Sequence, residues 1–200
     1  MVYEPREDSF FFAKTLREYL SSHRVKRVLD MGCGSGILTR VASKFVGKNN
    51  VLACDINPEA VKSLKQEGFR AVVSNLFKNI KEKFDLIVFN APYLPLDRTE
   101  PANSRIETTG GIYGDEISIK FLKECPRFLN NNGSVLLLIS SITPMNRIRK
   151  FNPKILAKKR LFFEELLILE FRFPLPPPDN SQSDDNQDNY SCKKYPESGS

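Results

Sequence analysis

Hydrophobic positions along the chain switch between two periods. Short runs of three to five residues, largely apolar, read as strands: Arg27-Val28-Leu29-Asp30, Val51-Leu52-Ala53-Cys54, Ala71-Val72-Val73, Asp85-Leu86-Ile87-Val88-Phe89 and Val135 to Ile139. Between them apolar residues recur every three or four positions, the helical spacing. Phe12, Leu16, Tyr19 and Leu20 share one face of a helix that Asp8 or Ser9 would cap. Gly36 to Phe45 and Glu116 to Phe128 read as further helices, the latter stopped near Asn130-Asn131-Asn132-Gly133. Asn57-Pro58-Glu59 opens another, with a cap followed by proline. After a short helix around Met145–Phe151, strand-like runs near Leu161-Phe162-Phe163 and from Leu166 to Phe173 predict a late hairpin. The alternation predicts an α/β fold with a mostly parallel, doubly wound sheet.

The pattern stops at Pro176-Pro177-Pro178, after which Asp, Asn, Ser and Gln offer almost nothing to bury. The organisation expected is one domain over 1–173 and a dispensable, disordered tail over 174–200. The chain has 200 residues, enough for one domain with a substantial core. No window reaches the roughly 18 apolar residues of a membrane helix, and the charged first residues lack a signal peptide's apolar stretch. Four scattered cysteines, Cys33, Cys54, Cys125 and Cys192, suggest neither a disulfide framework nor a metal cluster, so a reduced compartment and no metal site are expected. The net charge of +6 is uneven: the tail carries five acids and two bases, leaving 28 bases and 19 acids in the body. A basic body can favour nucleic acid or a partner bound to it, or simply be a solvated surface.

Candidate chemistry first appears at Asp30-Met31-Gly32-Cys33-Gly34-Ser35-Gly36, directly after the first strand. Glycines here let the backbone turn and approach a ligand that a Cβ would exclude. The spacing is G-x-G-x-G, not the dinucleotide G-x-G-x-x-G, and no Gly-Lys-Ser/Thr follows to make a P-loop. Asp30 would repel a pyrophosphate and attract a cationic group such as an amine or sulfonium. Asp55 closes the second strand, where a carboxylate can accept from two ribose hydroxyls. Asn90-Ala91-Pro92-Tyr93 stands at the end of the fourth strand, the edge where open α/β sheets bind ligands.

Five segments occur in order: Val2-Tyr3-Glu4-Pro5-Arg6-Glu7-Asp8-Ser9-Phe10, the Gly32–Gly36 loop, Asp55-Ile56-Asn57-Pro58-Glu59-Ala60, Ser74-Asn75-Leu76-Phe77 and Asn90-Ala91-Pro92-Tyr93-Leu94. Gly110-Gly111-x-x-Gly114-x-Glu116 and Glu165 to Phe171 follow. On these residues the chain resembles the HemK-like glutamine N5-methyltransferases, specifically the small archaeal and eukaryotic branch acting on class I release factors. The likeness spans 2–173; the N-terminal box is most specific to the branch, whereas N-P-P-Y is shared with adenine and guanine amino-methyltransferases.

The resemblance implies a class I, Rossmann-like methyltransferase with a C-terminal antiparallel strand. S-adenosylmethionine is the implied donor and S-adenosylhomocysteine the product. The donor would be held by Ser9, Asp30, the loop glycines Gly32, Gly34 and Gly36, Asp55, Asn75, Leu76 and Asn90. Asn90, Pro92 and Tyr93 would carry the catalysis. The implied partners are a class I release factor as substrate and a small zinc-binding activator subunit docked on edge strand Arg70–Val73 and its neighbouring helix. Direct nucleic-acid binding and membrane association are not expected, and the location implied is cytoplasmic, or also nuclear in a eukaryote. Three positions depart from the family: Ala91 for the first proline, Asn75 for an aspartate, and Asp115 for the arginine usual after Gly114. An amino-methyltransferase acting on adenine or guanine, and a non-catalytic donor-binding subunit, are the competing readings.

Overall fold

The computed structural model describes residues 6–95 and 109–173. The first half of the N-terminal box and the whole of 174–200 lie outside the described residues. Chain order is α1 (Glu7–Ser22), β1 (Val28–Met31), α2 (Ile37–Val46), β2 (Val51–Asp55), α3 (Pro58–Gln66), β3 (Arg70–Val73) and β4 (Phe84–Asn90). The miniature strands β5 (Leu94–Pro95) and β6 (Thr109–Gly111) precede α4 (Glu116–Glu124), β7 (Leu129–Ser140), α5 (Met145–Ile148), β8 (Lys154–Arg160) and β9 (Glu165–Arg172).

Seven strands form one sheet in the order β3-β2-β1-β4-β7-β9-β8. β1, β2, β3, β4 and β7 are parallel, while β9 runs antiparallel between β7 and β8. The sheet is therefore the expected class I methyltransferase arrangement. Alternate residues of each strand feed two cores. Val28, Leu86, Val88, Leu136 and Ile168 meet α1 and α2 through Phe12, Leu16, Leu38 and Val41. Leu29, Ile87, Phe89, Leu137 and Leu169 meet Phe121 and Leu122 of α4 on the other face. With both faces covered, β7 reads as an unbroken apolar run. Register sets Met31 beside Cys54 and Phe89, and Asn90 beside Leu138, so the ends of β1, β2 and β4 share one edge. The chain leaves β1 toward β2 on one side and meets β4 on the other, which opens a crevice at the switch point. No helix among the described residues is long and apolar enough to cross a membrane.

Four local expectations are corrected. The cap of α1 is Arg6, without a side-chain hydrogen bond; Asp8 and Ser9 are buried in the first turn. The helix expected over 116–128 becomes 3-10 from Cys125 to Phe128. Asn130 to Gly133 belong to β7, where the β4 ladder shifts register between Phe84 and Leu86 and Asn132 turns to φ +62°. Leu161-Phe162-Phe163 is not a strand: the Leu161 N–H donates to the Glu164 carbonyl at 2.8 Å and closes a turn. The strand lies just before it, at Lys154–Arg160. An edge strand with one partner needs little apolar patterning, so its four bases concealed it.

Candidate active site

The crevice at the ends of β1, β2 and β4 is a cleft of about 1410 Å³. That exceeds the ~300–1,000 Å³ of a single small-ligand pocket and leaves room for two reactants. Its walls come from the first turn of α1, the glycine loop, the ends of β2 and β4, the Ser74–Leu76 loop and the β8–β9 turn.

Gly32 forms part of the floor at φ +62°, and a Cβ there would come within 3.0 Å of the Phe89 ring. Gly34 also lines the cleft and donates its N–H to Asp55 Oδ2 at 2.8 Å. The Asn57 N–H donates to the other Asp55 oxygen at 2.8 Å. Asp55 thus locks the glycine loop to the start of α3 while lining the cleft, and each oxygen keeps a lone pair for a hydroxyl. Arg40 braces the loop from behind, donating to the Ser35 carbonyl at 2.7 Å and pairing with Glu67. Gly36 does not line the cleft. A Cβ on it would strike Leu64 at 2.5 Å, so its task is to let α3 pack against the loop.

Asp30 also stands back from the cleft wall, 1% exposed beneath the loop. Its Oδ2 accepts from the Thr39 hydroxyl at 2.6 Å, and its Oδ1 has no partner among the described residues. Burial pushes its pKa up to about 7, an effect that Thr39 opposes and the neighbouring Asp55 charge reinforces. A buried carboxyl short of a partner fits a ligand that brings positive charge.

Ser9, Asn75 and Leu76 all line the cleft, Ser9 buried and Asn75 exposed. Leu76 adopts φ +47°, rare for a branched side chain. Ser74 holds it there by donating from Oγ to the Leu76 carbonyl at 2.6 Å while accepting from the Asn79 N–H at 3.1 Å.

Asn90 projects from the end of β4. Its Nδ2 donates to Asp8 Oδ2 at 3.1 Å, across 82 residues of sequence. The other Asp8 oxygen accepts from the Ser9 N–H at 2.7 Å. By taking the hydrogen bond from the amide nitrogen, Asp8 fixes which way the Asn90 amide faces. Asn90 Oδ1 is buried and lacks a partner among the described residues. Ala91 is buried, and Pro92 and Tyr93 line the cleft beside it. The Tyr93 carbonyl accepts from Thr143 at 3.2 Å. A Cβ on Gly110 would lie 2.5 Å from the Pro92 carbonyl, and one on Gly114 would lie 2.6 Å from that of Tyr93. The Gly110–Gly114 segment therefore rests directly on the backbone after Asn90.

Two contributors escape a sequence reading. Asp8 reads as a helix cap, and only the fold brings it to Asn90. Arg147 of α5 grips the fully buried Asp115 with Nε at 2.7 Å and with Nη2. Asp115 replaces the family's arginine, and a reversed charge at a buried position calls for a cation from elsewhere; that was the available signal. Among the described residues no cluster of His, Cys, Asp or Glu could hold a metal ion.

Glycine cradle, ribose-ready carboxylate and unpartnered Asp30 oxygen together suit a cationic nucleoside donor. Comparison with known proteins agrees. Residues 9–162 match the family model described as "Methyltransferase small domain". A Methanocaldococcus jannaschii protein named "Putative protein N5-glutamine methyltransferase" is 36% identical over 84% of this chain and 90% of its own. The human "Methyltransferase HEMK2" is 31% identical over 68% of this chain and 71% of its own. The "Release factor glutamine methyltransferase" of Borreliella burgdorferi is 31% identical over 66% of this chain and 51% of its own. Among solved structures, a Pyrococcus furiosus methyltransferase superposes with TM-score 0.60 at 22% identity, covering 84% of this chain and 86% of its own. The chain accordingly belongs to the HemK-type N5-glutamine methyltransferases of the methyltransferase small-domain family, and its cofactor is S-adenosylmethionine.

Proposed function

We propose that this enzyme methylates the side-chain amide nitrogen of the glutamine in the Gly-Gly-Gln motif of a class I release factor. The unpartnered, buried Asn90 Oδ1 carries the reading. Leaving a buried acceptor unsatisfied costs roughly 1–3 kcal/mol, and an incoming amide N–H would satisfy it. The name of the Borreliella burgdorferi relative supports the choice of acceptor.

S-adenosylmethionine, when bound, supplies an electrophilic methyl group on a sulfonium. Gly32 and Gly34 would hold its methionine end with Ser9, Asp55 its ribose, and Asn75 and Leu76 its adenine; Asp30 and Gly36 act from behind the wall. An amide nitrogen is a poor nucleophile because its lone pair is delocalised into the carbonyl. Asn90 Oδ1 would accept a hydrogen bond from one of its N–H groups and the Ala91 carbonyl from the other, which turns the nitrogen toward the methyl; transfer breaks the sulfur–methyl bond, leaves S-adenosylhomocysteine, and one N–H proton departs to solvent. Such orientation is worth several kcal/mol. Asp8 keeps the Asn90 oxygen on the acceptor side. Pro92 and Tyr93 form the face on which the planar amide lies. The substitution of alanine at 91 leaves the main-chain acceptor in place, since both residues offer the same carbonyl.

The proposal includes a small zinc-binding activator subunit on β3. This strand ends the sheet, and its last residue, Val73, is 42% exposed. The Ser74 N–H donates to the Asp55 carbonyl at 2.8 Å. Backbone groups alternate along a strand, so Val72 faces β2 while Ala71 and Val73 turn their N–H groups outward, open to an added strand.

The test supplies labelled donor to the full chain, alone and co-expressed with the activator, together with a release factor or with RNA or DNA. Mass spectrometry should locate one added methyl on the Gly-Gly-Gln glutamine. Methyl on a base amino group would overturn the acceptor, and donor binding without transfer would make the protein a non-catalytic subunit.

A further inference from the structure

We propose that the Phe162–Phe163 pair at the tip of the β8–β9 turn is a docking point for the acceptor protein, gripping apolar side chains next to the target glutamine. The inference rests on the acceptor being a polypeptide, as in the reading above.

The two rings are 96% and 91% exposed and stack edge-on, with centroids 5.3 Å apart. Adjacent aromatics held in water on a rigid turn are unusual, because each forfeits the burial that ordinarily places it in a core or an interface. The turn is held from below. Beyond the Leu161–Glu164 closure, the Glu164 carboxylate accepts from the Ser140 hydroxyl. The Ser141 N–H donates to the Glu165 carbonyl at 2.8 Å, and the Glu165 N–H returns a bond to the Ser141 hydroxyl at 2.9 Å. The rings are thus presented on a fixed support.

Their place in the chain gives the surface its meaning. Leu161 and Glu164, on either side of the pair, both line the cleft. The phenylalanines therefore continue the cleft wall outward. A glutamine side chain reaching Asn90 would leave the rest of its polypeptide at the mouth, within reach of this apolar continuation of the wall.

Other occupants fit less well. Single-stranded nucleic acid would also stack on aromatics, but it wants unpaired cations alongside. Here Lys158 pairs with Glu165 at 3.6 Å and Lys159 with Glu7 at 3.8 Å, Glu164 adds another acid, and the exposed Arg160 is a single base beside the turn, too little positive charge to track a phosphate backbone. A second copy bound at the tip would cap the cleft and shut out the acceptor. A subunit on β3 sits at the opposite end of the sheet from β8 and does not reach the turn.

The test compares the full chain with the double variant Phe162→Ser, Phe163→Ser, each with and without the activator subunit. Both rings face solvent, so folding should be untouched. Donor affinity by calorimetry should be unchanged, as should turnover of a short Gly-Gly-Gln peptide. The KM for the intact acceptor protein should rise by about tenfold to a hundredfold, the usual loss when interface aromatics are removed. The variant Phe162→Leu, Phe163→Leu should recover much of it. Equal KM values for the intact protein overturn the docking role alone, as does equal impairment on peptide and protein. Loss of RNA retention with protein methylation intact assigns the tip to nucleic acid instead. A wild-type dimer that the variant splits assigns it to a second copy. Failure of the wild type to label glutamine at all removes the acceptor reading itself.

Discussion

Asn90 has two polar atoms with opposite surroundings, a nitrogen tied to Asp8 and an oxygen with no partner among the described residues. If the oxygen serves only to orient the acceptor, Asn90→Ala should bind donor almost normally while kcat falls by about two orders of magnitude or more. Single-turnover kinetics beside calorimetry separates the two quantities, and retained turnover would rule the orienting role out. Asp30 leads to a pH dependence. Its pKa near 7 means the carboxyl is largely neutral below that value and ionised above it. A cationic donor favours the ionised form, so below this pKa binding must expel a proton. Donor affinity should therefore climb between about pH 6 and pH 8 and level off beyond. By the same sign, the donor-free fold should lose stability as pH rises from the ordinary carboxylate range to about 7. Calorimetry in buffers of different ionisation enthalpy measures the released proton, and Asp30→Asn should flatten the profile. A flat wild-type profile would show that Asp30 does not respond to the donor.

Elements were legible in proportion to how much of their surface the core covers. β4 and β7, buried on both faces, stand out as Leu86–Phe89 and Val135–Ile139, and the Asn57-Pro58 start of α3 is local chemistry, with the Asn57 side chain accepting from the Glu59 N–H at 2.9 Å. β8 was hidden because Lys154, Lys158 and Arg160 point to water and its core contact is partial. The glycine loop and Asn90–Tyr93 were legible because a short segment carries each. The Asp8–Asn90 and Asp115–Arg147 pairs were not, since no local pattern encodes a meeting of distant segments. The β3 edge yields its own prediction. Val73→Pro removes an outward N–H without touching the β2 ladder, so the folded protein should no longer co-purify with an activator subunit. Val72→Pro, which breaks the ladder itself, should instead lower Tm. Normal co-purification of folded Val73→Pro would exclude strand addition at this edge.

Charge is unequal across the molecule as a whole. Residues 174–200 contribute five acids and two bases to a chain of net charge +6. Deleting them should leave Tm and turnover unchanged and make the protein elute later from a cation-exchange or heparin column, because the removed segment is net acidic. A fall in Tm or turnover would give those residues a structural or catalytic part that their composition does not announce.

The backbone that follows Asn90 along the cleft is backed by main chain lying on main chain: the Gly110–Gly114 segment sits on the carbonyls of Pro92 and Tyr93 with no space for a carbon at either glycine. Such a wall is indifferent to most side-chain change around it. Descendants of this sequence can exchange exposed residues such as Ile112, Tyr113, Phe162 and Phe163 without disturbing that packing. Drift is open at such exposed positions and closed at the glycines, where a new methyl at Gly110 or Gly114 would push on the Pro92 or Tyr93 carbonyl and so on the segment that follows Asn90.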